Sequence, residues 1–230
     1  MEMEANVAPH LTRQLDIIPI ETLGREITVI GAGAIGSFTV LALVKMGFAN
    51  ITVYDFDDVS IENMNCQWYR MKDIGKKKVQ ALQELIKDFT DVTINIKPVR
   101  FEAGELRGIV ISAVDSMEAR KVIWNAAKKS FGVSWFIDPR MASEYALAFV
   151  MKPDDEADQK SYETTLYSDA NAVQERCTAK ATMYTATMIA GYVAKAVKDI
   201  VTGNKYARVS HWDIGLNNLQ NWGKSDQNNI

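Results

Sequence analysis

Two periodicities alternate along the chain. Residues 26–31 (EITVIG), 50–55 (NITVYD) and 108–115 (GIVISAVD) are short β-branched runs with little polar alternation, the pattern of strands buried on both faces. Residues 133–138 (VSWFID) and 144–151 (EYALAFVM) read as two further strands in a row with no helix between them. Residues 91–99 (DVTINIKPV) alternate like a strand. Helical spacing appears at residues 37–48, ending near Gly47, and at residues 75–89, where Val79, Leu82, Leu85, Ile86 and Phe89 share a face. It appears again at residues 116–130, with Ser116 as N-cap, and at residues 177–203, which end on Gly203. Residues 206–214 (YARVSHWDI) read as a last strand.

Strand, glycine turn, helix and strand in succession make a βαβ unit with a right-handed crossover. The pattern therefore predicts an α/β fold. It is Rossmann-like, with a mainly parallel sheet continuing into a mixed sheet. Residues 1–230 are expected to form one domain, with a helical arm at 1–25, an exposed crossover loop at 152–176 and a flexible amide-rich tail at 215–230.

Bulk properties narrow the function. A chain of 230 residues, 47% of them hydrophobic, suffices for one α/β domain with a sizeable core. A net charge of −3, with both signs mixed along the sequence, argues against a broad basic face for nucleic acid. No apolar run approaches the roughly 20 residues of a membrane helix, and the polar, acidic start does not read as a signal peptide. The two cysteines, Cys66 and Cys177, form no CxxC pair. A cytoplasmic protein with reduced thiols and no membrane partner is expected. His10 and His211 are isolated and have no metal-ligand spacing.

Chemistry concentrates after the first two strands. Gly31, Gly33 and Gly36 fit GxGxxG between a strand and a helix. Gly31 permits the turn, Gly33 lets phosphate approach the backbone, and Gly36 lets the helix pack on the strand. The helix start at Ala34 and Ile35 offers free N–H groups and a partial positive charge. Asp55, ending the next strand, is placed to accept from ribose hydroxyls. The usual ligand of this pattern is NAD. Three features favour a triphosphate with magnesium instead: the long polar stretch DFDDVSIENMNCQWYRMKDI after that strand, the GKKK run at a helix start, and Asp115 at the end of another strand. Lysines at a helix start oppose the dipole and need another reason to be there. Lys76 and Lys77 read as solvated, and Trp68 and Tyr69 as packing residues.

Several blocks, in order, resemble the ThiF/MoeB/HesA family, bacterial relatives of ubiquitin-activating enzymes. They are LTRQLDIIP, ITVIGAGAIGS, YDFDDVSIENMNCQ, DIGKKKV, SAVDS and RCTAKATMYTATMIAGYVAKAVKDIVTG. The resemblance implies binding of ATP and Mg2+ and adenylation of the C-terminal carboxylate of a ubiquitin-like or sulfur-carrier protein or peptide. It implies a homodimer. It assigns Asp55 to the ribose, Asp57 and Asn63 to the ribose and phosphates, and Gln67 to the family's arginine–glutamine pair. Lys78 corresponds to the phosphate lysine, Asp115 to the magnesium aspartate, and Arg13 to the arginine that reaches the partner subunit's ATP. Cys177 falls where some members carry an acyl-accepting thiol. The chain departs from the family at Cys66, where the family has arginine; a thiol cannot donate a guanidinium's planar fork. Arg70, three residues on, is a candidate to supply that charge. Two other readings stay open: a catalytically degenerate nucleotide-binding partner module, and an NAD-dependent oxidoreductase, for which no well-placed histidine is present.

Overall fold

A computed structural model describes residues 9–167 and 181–224. Strands β1 (Ile27–Ile30), β2 (Ile51–Tyr54), β3 (Asn95–Lys97), β4 (Gly108–Ser112), β5 (Val133–Ala142), β6 (Tyr145–Met151), β7 (Ala207–Asp213) and β8 (Asn218–Lys224) form one sheet. Their order is β3-β2-β1-β4-β5-β6-β7-β8. Pairing is parallel from β3 to β5 and antiparallel from β5 to β8. The Rossmann-like sheet expected from the sequence is present, and so is its mixed continuation.

The unbroken apolar runs become strands because both faces are covered. Ile27, Val29, Ile51, Val53, Ile109 and Ile111 pack with helices α1 (Ala34–Lys45), α2 (Lys78–Phe89) and α5 (Met183–Val201) in the main core. Ile30, Val110 and Phe136 face a second core beneath α3 (Met117–Lys129), built around Trp124 and Tyr162. Ser116 caps α3 by accepting from the Ala119 N–H, and Thr182 caps α5 by accepting from the Thr185 N–H. Gly203, past the end of α5, has φ +67°, the left-handed C′ conformation that favours glycine.

The structure departs from the sequence expectations in four places. The strand expected over 91–99 contracts to β3, an edge strand of three residues, ahead of Pro98. The expected crossover loop at 152–176 begins with helix α4 (Glu156–Glu163), capped by the Asp155 carboxylate accepting from the Asp158 N–H. Tyr162 drives its burial: the ring is 0% exposed against Trp124, Phe136 and Phe149. The expected flexible tail at 215–230 contains β8, whose Asn221 Oδ1 accepts from the Ser210 hydroxyl. The helix expected from residue 177 is described from Met183 onward. In the arm at 1–25, the described part consists of two 3-10 turns, Pro9–Gln14 and Ile20–Thr22. Among the described residues no helix is long and apolar enough to cross a membrane.

Candidate functional site

In the strand order, β1 lies between β2 and β4, and the chain crosses away on opposite sides. The C-terminal ends of β1 and β4 form the switch point where such sheets hold ligands. Gly31 leaves β1 with φ +99°, and a Cβ there would lie 2.3 Å from the Ala113 carbonyl oxygen, so the loop after β4 is tight against the turn. Gly36 sits equally close on the other side: a Cβ would lie 1.9 Å from the Gly31 carbonyl oxygen. Gly33 is different. It precedes α1, no side chain caps the helix, and a Cβ added to Gly33 would meet nothing within 4 Å. The turn is thus clamped at two glycines and open at the third, and uncapped N–H groups face the opening.

The acidic and basic groups gather around this opening. Asp55 is 8% exposed. Its Oδ2 accepts from the Ala32 N–H at 2.6 Å and its Oδ1 from the Asp57 N–H at 2.8 Å. Burial pushes its carboxyl above the ordinary carboxylate value, against the pull of those two N–H groups and of Lys78. Lys78, the first residue of α2, is 7% exposed and its Nζ lies 2.8 Å from Asp57 Oδ2. The neighbouring lysines point outward: Lys76 pairs with Glu84 and Lys77 with Asp58. Asp115 is exposed in the loop after β4, two residues past the Ala113 carbonyl that abuts Gly31.

The segment between β2 and α2 supports the site more than it lines it. Asn63 Oδ1 accepts from the Ser60 N–H, a local capping role. Gln67 carries a buried Oε1 with no partner among the described residues. Cys66 is buried, and burial pushes its thiol up while nearby Lys78 pulls it down, so it stays protonated and neutral at neutral pH. Arg70 does not replace the missing charge. It chelates Asp73 through Nε at 2.8 Å and Nη2 at 3.0 Å and also pairs with Asp88 and Glu84, which commits it to α2. Two residues read from the sequence as packing residues do pack, Trp68 against Phe38 and Phe89 and Tyr69 on the main core, and they also bond to the turn and to α1. The Tyr69 hydroxyl donates to the Ala32 carbonyl at 2.6 Å, and the Trp68 backbone N–H donates to Ser37 Oγ at 3.0 Å. Their spacing gives no sign of this, because the bonds cross from one loop to another.

Arg13 is exposed and far from this cluster. Its 3-10 turn packs on the opposite end of α1, where the Gln14 amide donates to the Met46 carbonyl and Leu11 lies against Gly47. The 12 residues of α1 separate the two ends by about 18 Å. Cys177 lies outside the described residues.

The open turn and the uncapped helix start fit a phosphate-bearing ligand, and the orphaned Gln67 oxygen fits a donor on it such as a sugar hydroxyl. Among the described residues no group of three or more acidic, histidine or cysteine side chains is placed to hold a metal by itself. An exposed carboxylate such as Asp115 would suit a Mg2+ ion that takes most of its ligands from outside the protein.

The model of the ThiF family matches residues 21–225. The chain belongs to the ThiF family. Similar curated proteins are the ubiquitin-like modifier-activating enzyme 5 of Branchiostoma floridae, 30% identical over 47% of this chain and 31% of that protein, and its namesake in Oryza sativa subsp. japonica, 32% identical over 48% and 31%. The aligned part spans about a third of these relatives' length. Among solved structures, E. coli MccB crystallised with AMPCPP and MccA matches with TM-score 0.72 at 13% identity, covering 98% of this chain and 75% of MccB. PaaA matches with TM-score 0.67 at 19% identity, covering 90% of this chain and 74% of PaaA. At such identities the ThiF fold is what these structures share with this chain.

Proposed function

We propose that this ThiF-family chain binds ATP with magnesium and adenylates the C-terminal carboxylate of a ubiquitin-like or sulfur-carrier protein or a peptide. The observation that carries the reading is the convergence, at the β1/β4 switch point, of an open glycine turn, buried Asp55 and Lys78, and exposed Asp115. The names of the relatives, ubiquitin-like modifier-activating enzymes, and the AMPCPP and MccA bound in MccB support the same class of chemistry.

In this reading the N–H groups of Gly33, Ala34, Ile35 and Gly36 receive the phosphates. Asp55 orients the ribose, with Asp57, Asn63 and Gln67 in the adjoining wall. Asp115 holds magnesium, which neutralises phosphate charge. An acceptor carboxylate oxygen forms a bond to the α-phosphorus, the bond from that phosphorus to the bridging oxygen breaks, and pyrophosphate leaves with the electron pair. No proton has to move, so the chain needs no general base. Lys78, released from Asp57 toward the phosphates, stabilises the charge of the transition state. Arg13, held away from its own site, enters the site of the other subunit in a homodimer.

The experiment is ATP–pyrophosphate exchange with a small carrier protein ending in Gly-Gly as acceptor. Exchange is expected in the wild type. It should fall by about 100-fold or more in Lys78→Ala and in Arg13→Ala. Co-expression of the two variants should restore part of it, because a mixed dimer keeps one intact site. No recovery on mixing two variants that are each inactive would mean that Arg13 does not act across a dimer, and full exchange by Arg13→Ala alone would place Arg13 outside the reaction. The same mixture tests acyl transfer to Cys177, through a reductant-labile thioester missing in Cys177→Ala. A second reading, a nucleotide-binding module without catalysis, is favoured by the neutral Cys66 and the committed Arg70. Retained MgATP binding with no exchange for any acceptor would select it.

A further inference from the structure

Both polar groups of Ala32 are tied down. Its N–H donates to Asp55 and its carbonyl accepts from the Tyr69 hydroxyl, each at 2.6 Å, and the residue is fully buried. The Ala32 carbonyl belongs to the same peptide unit as the Gly33 N–H. Among the described residues no peptide bond is cis. In a planar trans peptide, carbonyl and N–H point in opposite directions. A hydroxyl that holds the Ala32 oxygen inward therefore turns the Gly33 N–H outward, toward the side where an added Cβ on Gly33 would meet nothing within 4 Å. That N–H has no acceptor among the described residues.

We propose that Tyr69 is a positioning residue, whose hydroxyl aims the Gly33 N–H at the phosphates of a bound nucleotide. The inference rests on the ATP reading of the site. The segment carrying Tyr69 is held in place from both sides. The Trp68 backbone N–H is anchored on Ser37 in the first turn of α1, and the Tyr69 ring packs on the main core. Burial and the carboxylates of Asp55, Asp73 and Asp57 push the phenol well above its ordinary value, so it stays a donor wherever the protein is folded. Dipoles fixed before the ligand arrives cost no reorganisation when it does. A tyrosine that only satisfied a buried carbonyl would affect every ligand of the pocket alike. One that aims an N–H affects those bearing phosphate.

The test is titration of 15N-labelled wild type and Tyr69→Phe with MgATP and, separately, with adenosine. Loss of one hydrogen bond's worth of preorganisation is expected to weaken MgATP binding by about three- to tenfold in the variant and to leave adenosine unchanged. In the wild type the Gly33 amide resonance should move on adding MgATP and stay put with adenosine. Equal weakening of both ligands, or unchanged MgATP affinity, would overturn the proposal. Should the variant not fold, a Gly33 amide indifferent to MgATP in the wild type overturns it equally. A wild type that binds no MgATP removes the ATP reading and this inference together; one that binds it and matches the variant removes the inference alone.

Discussion

The least ordinary residue of the site is Asp55, a carboxylate 8% exposed that is satisfied by two backbone N–H groups. Burial raises its pKa above the usual 3.8. As pH rises through the interval between 3.8 and the raised value, the unfolded chain releases this proton before the folded chain does. The contribution of Asp55 to stability therefore declines across that interval and is constant above it. Thermal melts of wild type and Asp55→Asn are expected to diverge with pH. The advantage of the wild type should be larger near pH 4 than at pH 7, on top of a pH-independent difference from the altered hydrogen bonds. An advantage that grows with pH would contradict the burial argument. Residues of this kind were legible in the sequence as types at positions. Asp55 ends a strand, Lys78 begins a helix, and Asp115 follows β4. Their partners were not legible. That Arg70 is consumed by Asp73 and Asp88 depends on the approach of α2, which no local pattern encodes.

At the scale of elements, the strand–turn–helix at residues 27–45 combines rigidity with one open position. The glycines separate these two functions. Gly36→Ala would drive a Cβ to 1.9 Å from a backbone carbonyl oxygen, so α1 must shift off β1. A loss of about 3 kcal/mol or more in denaturant unfolding is expected. Gly33→Ala meets nothing within 4 Å and should change stability little while weakening nucleotide binding, because its methyl group occupies the ligand's side of the turn. The reverse ranking in denaturant titrations would mean that Gly33 and not Gly36 is the packing glycine. Elements buried on both faces announced themselves through β-branched runs. Those missed were amphipathic and short. α4 buries essentially one aromatic side, Tyr162, in a stretch of acids. β8 is an edge strand of amides whose identity comes from its ladder with β7, a property of the partner as much as of the segment.

At the scale of the whole molecule, five parallel strands hold the candidate nucleotide site at their switch point, and three further antiparallel strands extend the sheet beyond it. The mixed continuation of the sheet was readable because strand followed strand over residues 133–151 with no helical period between. A homodimer is what the family resemblance implied, and in the proposed function it would give a use to Arg13, which the fold holds at the far end of α1 from the glycine turn. The central claim remains local: a polyphosphate seated on the glycine turn and held by groups from three separate stretches of sequence. Calorimetric titration tests it most directly, with MgATP and then NAD added to the wild type and to Lys78→Ala. Saturable heat with MgATP at one site per chain, sharply reduced in Lys78→Ala and absent with NAD, is the expected result. No heat with MgATP, or tight binding of NAD in its place, would contradict the account.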